Sequence, residues 1–419
     1  MTPTNKPRST LLVVALTIVL TLIIACTYGF GRYLFRVLLV EMRLDLGFTY
    51  ATAGLLNASI TIGYLLVTAV IPGITERVGA VRLVLIANLL CGLGLLLMAS
   101  AASLWLVALL LALFGAVTSG SWVPMVNVVR RFAPANHQVK ILGLIVSGVN
   151  YGIFVNGLLA PPVIERAGWR PLWTITGVIT LAVTFLALLV VGMAHLLPRS
   201  APATHREHRP QFGWMQKIRG MEWPFLILIL MHGVAGFYGP TFGAYISAYI
   251  QDELGLSVSL NGQVWTIMGV GGMLSGLIMG WLGDRIGPKR TIQLVYIFGI
   301  VATLLVLHHQ RTAELLLAGL FSAFGFIPMY GLVAGYISRN ASDEDGNFIF
   351  GLLNFVHGFT VTLGAYLGGL IQTWTGTFFW VYLFILVAVI IALGLSTMLP
   401  NEVTSTKEIV VGSQPGLGD

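Results

Sequence analysis

Twelve apolar runs of about 20 residues, separated by short polar breaks, make up most of the chain: 11–40, 50–71, 83–100, 104–128, 140–163, 171–196, 223–250, 262–281, 291–308, 313–337, 348–372 and 376–398. A helix of about 20 apolar residues is as long as the hydrocarbon core of a bilayer is thick. No water reaches that core, so the backbone N–H and C=O groups must bond within the segment, and an α-helix does this alone. The sequence therefore predicts an all-α integral membrane protein with twelve transmembrane helices. Composition argues the same way. Of 419 residues, 57% are hydrophobic and 9% charged, whereas a soluble domain carries about 25% charged residues.

The net charge of +7 does not imply nucleic-acid binding. The basic residues sit in short loops, where they set orientation in a membrane. With the N-terminus inside, the cytoplasmic set is Lys6, Arg8, Arg77, Arg82, Arg130, Arg131, Lys140, the cluster in 198–222, Arg285, Lys289, Arg290, Arg339 and Lys407. The other side holds only Arg36, Arg43, Arg166, Arg170 and Arg311. Both termini are thus expected in the cytoplasm. The apolar run after Lys6 and Arg8 is too long for a signal-peptide core and reads as a retained first helix. Cys26 and Cys91 fall inside apolar runs, so no disulfide framework is indicated.

The longest polar break, 198–222, divides the chain into an N-terminal six-helix bundle over 1–197 and a C-terminal one over 223–400. A polar tail, 401–419, is expected to be disordered. The halves share a loop. Gly280-Trp281-Leu282-Gly283-Asp284-Arg285-Ile286-Gly287-Pro288-Lys289-Arg290 lies between two apolar runs, and a weaker copy, Glu76-Arg77-Val78-Gly79-Ala80-Val81-Arg82, stands 208 positions upstream. A charged loop repeated at half-chain distance is the mark of duplicated membrane helices, the architecture of transporters.

These features resemble the major facilitator superfamily. The second loop follows that family's G-x-x-x-D-R-x-G-x-[KR]-[KR] pattern. The first departs from it, with Pro72 in place of the leading glycine and Glu76 in place of the aspartate. The N-terminal half is similar to the bacterial YbfB/YjiJ-type permeases in Gly29-Phe30-Gly31-Arg32-Tyr33, Met42-Arg43-Leu44-Asp45-Leu46-Gly47, Ala53-Gly54-Leu55-Leu56-Asn57 and Gly63-Tyr64-Leu65. The resemblance implies two pseudo-symmetric six-helix halves rocking about a central cavity. It also implies that the repeated loop is a conformational latch. Glu76 and Asp284 would sit at helix ends, able to approach a neighbouring helix N-terminus, with Arg77 and Arg285 able to pair to the same or a facing carboxylate. The arginine that many drug antiporters of this family carry in segment 4 is replaced here by Leu111. Their glycine-proline signature in segment 5 is degenerate, Gly157 followed by Pro161-Pro162.

Polar residues inside the membrane are costly and mark function or helix contact. Arg32 lies in the outer half of segment 1, where a guanidinium can hold an anion through paired N–H donors or tie helices together. Tyr28, one turn earlier, shares its face. Arg36, one turn further out, is expected to snorkel to the surface. Every Asp and Glu falls in a loop or near a helix end, so no buried acid is visible to carry a proton or hold a cationic drug. His232 and His357 can substitute as titrating groups, with Asn354 one turn before His357. Asn57, Asn127 and Asn150 complete the candidate binding set, each also able to serve as a helix tie. Tyr238, Phe242, Tyr245 and Tyr249 form an aromatic stripe whose simplest role is packing, with a periplasmic gate as the alternative. Glycines four apart, Gly272-Gly276-Gly280, Gly148-Gly152 and Gly364-Gly368, mark faces for close helix contact.

No metal-binding or nucleophilic cluster points to a membrane enzyme, and no segment is long enough to add a soluble receptor domain. The expectation is a monomeric secondary transporter of the bacterial inner membrane with no cofactor. It would move a small solute, with an organic anion such as a carboxylate first and an amphiphilic compound second. Protons are the candidate coupling ion.

Overall fold

The computed structural model describes residues 10–134, 137–194, 218, 221–308, 311–341 and 343–400. Lys6, Arg8, His195, His309, Lys407, the tail from Asn401 and all of the 198–222 linker except Ile218, Met221 and Glu222 lie outside them. Twelve helices within the described residues are long and apolar enough to cross a membrane. They are α1 Thr10–Val37, α2 Tyr50–Val78, α3 Ala80–Ala99, α4 Leu104–Phe132, α5 Lys140–Ala167, α6 Arg170–Met193, α7 Trp223–Glu253, α8 Val258–Ile286, α9 Pro288–His308, α10 Thr312–Asn340, α11 Phe348–Thr375 and α12 Phe379–Met398. The protein is all-α, with no strand among the described residues.

Several helices outrun their apolar runs because polar caps, not hydropathy, end them. Thr49 opens α2 by accepting the Thr52 N–H, and Ser257 opens α8 by accepting the Leu260 N–H. Gly79 (φ 92°) closes α2 and Gly287 (φ 89°) closes α8. A positive φ is costly for any residue with a Cβ, which is why glycine stands at both stops. Each of these pairs is separated by 208 positions, the spacing of the repeated loop.

Packing repeats the same symmetry. In the first half α1 lies on α5, α2 on α4, and α3 on α6; in the second α7 lies on α11, α8 on α10, and α9 on α12. The halves meet chiefly along two seams, α5 with α8 and α2 with α11. Backbones touch there. A Cβ on Gly157 would fall 2.4 Å from the Thr266 nitrogen, and one on Gly369 would fall 2.0 Å from the Tyr50 carbonyl oxygen. Both seams are tight toward the end that carries Asp252. Toward the end that carries Glu76 and Asp284, Gly73, Gly143, Gly276, Gly280 and Gly351 have nothing within 4 Å of a Cβ position.

Of the glycine faces expected from sequence, Gly148 and Gly152 pack on α1, and Gly364 and Gly368 pack on α7. On α8 only Gly272 makes contact, against Asn150. Gly276 and Gly280 lie beyond the point where α5 and α8 part. The outer surface is apolar, as lipid contact requires, with side chains such as Leu277 and Phe185 largely exposed.

Candidate functional site

From Ala25 to Tyr33, α1 takes the wider hydrogen-bond spacing of a π-helix. The extra residue in the turn re-aims the side chains that follow, and those include Arg32 and Arg36. Glycine lets this stretch sit against α5: a Cβ on Gly29 would lie 2.3 Å from the Gly152 Cα. Arg32 is half-buried, with its guanidinium carbon 5.6 Å from the Tyr64 ring centroid. The phenols of Tyr28, Tyr33 and Tyr330 complete its electrostatic surroundings. Tyr28 is therefore near Arg32, as the sequence implied.

Arg36 does not snorkel. It is 5% exposed, its Nε donates to the Asn57 Oδ1 at 3.3 Å, and its guanidinium carbon stands 5.0 Å from the Tyr33 ring centroid. The expectation failed because α1 does not end at the surface. The chain runs on as a further helix, Leu39–Leu46, and α7 covers the arginine, with Arg36 Nη1 3.6 Å from a Cβ position on Gly243. Arg36 lines a pocket of about 50 Å³ together with Tyr33, Tyr238, Phe242, Trp265, Ser322 and Phe326. Neither arginine has an ion-pair partner among the described residues. Four residues of helix separate them by about 6 Å. Their like charges repel one another. An anion between them would offset that repulsion.

His232 and His357 meet across α7 and α11, their rings stacked with centroids 4.6 Å apart. His357 Nδ1 lies 3.2 Å from the His232 carbonyl oxygen, and its Nε2 lies 2.7 Å from the Tyr330 hydroxyl. A carbonyl can only accept, so Nδ1 carries the proton and, in the neutral ring, Nε2 accepts from Tyr330. Both nitrogens of His232 are buried without a hydrogen-bond partner. Tyr330 connects this pair to the Arg32 surroundings.

The other predicted residues divide. Asn57 is buried, and besides accepting from Arg36 it donates to the Ala53 carbonyl at 3.2 Å. Asn150 is buried in the α5–α8 seam with its Oδ1 unpartnered. Asn127 is exposed on the short helix Met125–Phe132 that follows the Pro124 break in α4. Asn354 donates to the Phe350 carbonyl of its own helix at 2.7 Å, so its amide is engaged away from His357. The stripe Tyr238, Phe242, Tyr245 and Tyr249 is fully buried and packs against α12 and its neighbours. Cys26 and Cys91 are free and buried. Among the described residues no group of three His, Cys, Asp or Glu is placed to hold a metal.

Tyr330 was not singled out from sequence, and Tyr33 and Tyr64 stood only within the resemblance motifs, not among the candidate binding residues. Tyrosine is common at helix contacts, and no spacing rule marks the three from different helices that converge on one arginine.

The repeated loops lie at the end where the seams part. Asp284 is mostly exposed and stands 3.5 Å from Arg339 of α10, within its own half. Arg285 lies over the Trp281 ring, 3.9 Å from its centroid. Glu76 and Arg77 form no ion pair among the described residues. Arg339 stands 208 positions after Arg131, the same offset that relates Asp284 to Glu76, so the repeat itself pointed to it.

At the opposite end the halves are bonded together. Arg43 donates to Asp252 through Nε at 3.1 Å and Nη2 at 2.7 Å, and the Tyr50 hydroxyl donates to the same oxygen. The Ala51 N–H donates to Thr373 at 3.0 Å. Glu41 lies beside this network with both carboxylate oxygens unpartnered. Burial pushes its carboxyl up to about 7. Asp45, by contrast, is held below the usual carboxylate range by Arg170, whose Nη1 lies 2.5 Å away.

The family model described as Major Facilitator Superfamily matches residues 21–359 and 243–411. The uncharacterized MFS-type transporter YcxA of Bacillus subtilis (strain 168) is 26% identical over 280 residues, 63% of this chain and 64% of that protein. The multidrug resistance protein MdtG of Escherichia coli (strain K12 / DH10B) is 26% identical over 258 residues, 58% of this chain and 59% of that protein. The chain thus spans under two thirds of each of these relatives. Among solved structures, a mutant of the nucleoside transporter NupG superposes with a TM-score of 0.76 at 12% identity, covering 93% of this chain and 99% of the other. At that identity the likeness speaks for the fold alone.

Proposed function

The chain belongs to the Major Facilitator Superfamily, and from that premise we propose that it carries a small organic anion, such as a carboxylate, across the bacterial inner membrane by alternating access. It is a multi-pass membrane transporter rather than an enzyme. The observation behind the anion is Arg32: half-buried, ringed by tyrosines, and without a carboxylate partner among the described residues. A guanidinium in a cavity of lowered dielectric binds a planar carboxylate through two parallel N–H donors. Tyr28, Tyr64 and Tyr330 supply hydroxyls around it, and Tyr330 links the site to His357 and His232. With both termini in the cytoplasm, the Asp252 end faces the periplasm. On that orientation the seams part toward the cytoplasm, which supports reading this form as inward-open.

The likeness to MdtG supports a second reading, export of amphiphilic compounds. The aromatic lining of the pocket beside Arg36 suits it.

The Arg32→Ala protein tests the first reading. Purified protein is screened by thermal shift against organic acids, sugars, amino acids and drugs, and affinities are measured for the ligands found. A charge-assisted pair is worth about 1.5–3 kcal/mol, so affinity for an anion should fall roughly 10- to 150-fold. Arg32→Lys should restore part of it, because an ammonium cannot make the two-point contact. Unchanged affinity in folded Arg32→Ala for every ligand found would refute the anion reading and leave the second.

A further inference from the structure

Arg36 offers a binding capacity that its structural contacts do not use. One of its donors, Nε, is spent on Asn57 at 3.3 Å. The two terminal NH₂ groups make no hydrogen bond to any described residue, although the side chain is only 5% exposed. These donors reach the pocket rather than being sealed off, and donors on a charge so little exposed to bulk water favour an anionic partner that enters it. The guanidinium faces the pocket of about 50 Å³ between the two halves. That volume admits a few atoms of water size. It is well short of the roughly 150 Å³ that takes an aromatic ring. A carboxylate head fits it; a bulky tail does not.

Arg32 stands one helical turn away, about 6 Å along the axis, half-buried and also without an ion-pair partner among the described residues. The site therefore presents two guanidiniums with no protein carboxylate to balance them. One monoanion would leave a full positive charge uncompensated.

Resting on the organic-anion reading, we infer that the substrate is a short dicarboxylate, with one carboxylate held by Arg32 and the other by Arg36 in the small pocket between the halves. An extended chain of four or five carbons brings two carboxyl groups within reach of side chains one helical turn apart, whereas a three-carbon chain is too short to span the turn. Because Arg36 sits under α7 while belonging to α1, the second carboxylate would touch both halves at once. The dianion would then stabilise the form in which they close on it.

Binding to the purified full-length protein separates the possibilities. The probes are succinate and glutarate, with malonate as the chain too short to span, each compared with its monoamide, which keeps length and shape but loses one charge. The wild-type protein should bind at least one dicarboxylate about 10-fold or more tighter than the matching monoamide. Arg36→Gln should bring the two affinities together, while residual binding still depends on Arg32. Arg36→Lys should keep part of the preference. Equal binding of diacid and monoamide by the wild type would overturn the inference and show Arg36 to be a tie to Asn57, with the anion reading intact. If no diacid and no monoamide binds, the inference falls. If in addition no other organic acid binds, the anion reading falls with it. The wild-type comparison decides the matter even where Arg36→Gln does not fold.

Discussion

Asp252→Asn should open the face that the structure holds shut. The Asp252 carboxylate takes two N–H donors from Arg43 and the hydroxyl of Tyr50, joining the second half of the protein to the first. The side chains of Arg43 and Asp252 are 24% and 22% exposed. A buried charge-assisted bond contributes about 1.5–3 kcal/mol and an exposed ion pair about 0.2–1 kcal/mol. At this intermediate exposure the pair contributes about 1–2 kcal/mol, and asparagine keeps the shape but not the charge. The balance between the two access states should move by about 5- to 30-fold. A cysteine at Ser322, in the pocket between the halves, reports the change, because native Cys26 and Cys91 are buried. Its labelling by a membrane-impermeant maleimide added from the Asp252 side should quicken by that factor. Tyr50→Phe, which leaves the ion pair intact, should have a smaller effect. An unaltered labelling rate in folded Asp252→Asn would show that the backbone seams alone hold this face closed.

Three further outcomes follow from the same geometry. Glu41 has a carboxyl raised from 4.5 to about 7 in the closed arrangement, so that arrangement binds the extra proton. Its stability is full below about pH 4.5, falls as pH rises toward about 7 by up to about 3 kcal/mol, and levels off above; labelling from the Asp252 side should quicken over that window in the wild type and not in Glu41→Gln. Asp284→Asn should leave the melting temperature nearly unchanged, because its contact with Arg339 is long and exposed, while transport falls sharply; wild-type transport would reduce the repeated loop to an orientation signal. Gly157→Ala should destabilise the protein or spread the α5–α8 seam, since its Cβ would meet the Thr266 nitrogen at 2.4 Å. Gly276→Ala, in open space, should melt like the wild type, and equal melting of both variants would contradict the seam.

Twelve apolar runs and a loop repeated at 208 residues determined the helix count, the fold class and the two-fold plan, because hydrocarbon allows a spanning chain few alternatives. Arg32 was equally legible, since an arginine deep in an apolar run must be explained. Tertiary structure decided the rest. Arg36, one turn beyond Arg32, read as a surface arginine, and only the continuation of the chain past Leu38 and the cover of α7 made it a buried donor. Gly276 and Gly280 shared a face with Gly272, but the divergence of α5 and α8 left them without a partner. Arg43 and Asp252 are 209 positions apart and each reads as a loop charge; their pairing depends on how the halves dock. His232 and His357 were visible one by one, and the tautomer of His357 follows only from the carbonyl and hydroxyl that flank it. Hydropathy is a property of one segment in its solvent and survives in sequence. A binding site is a property of several helices at once, and its partners are chosen by packing.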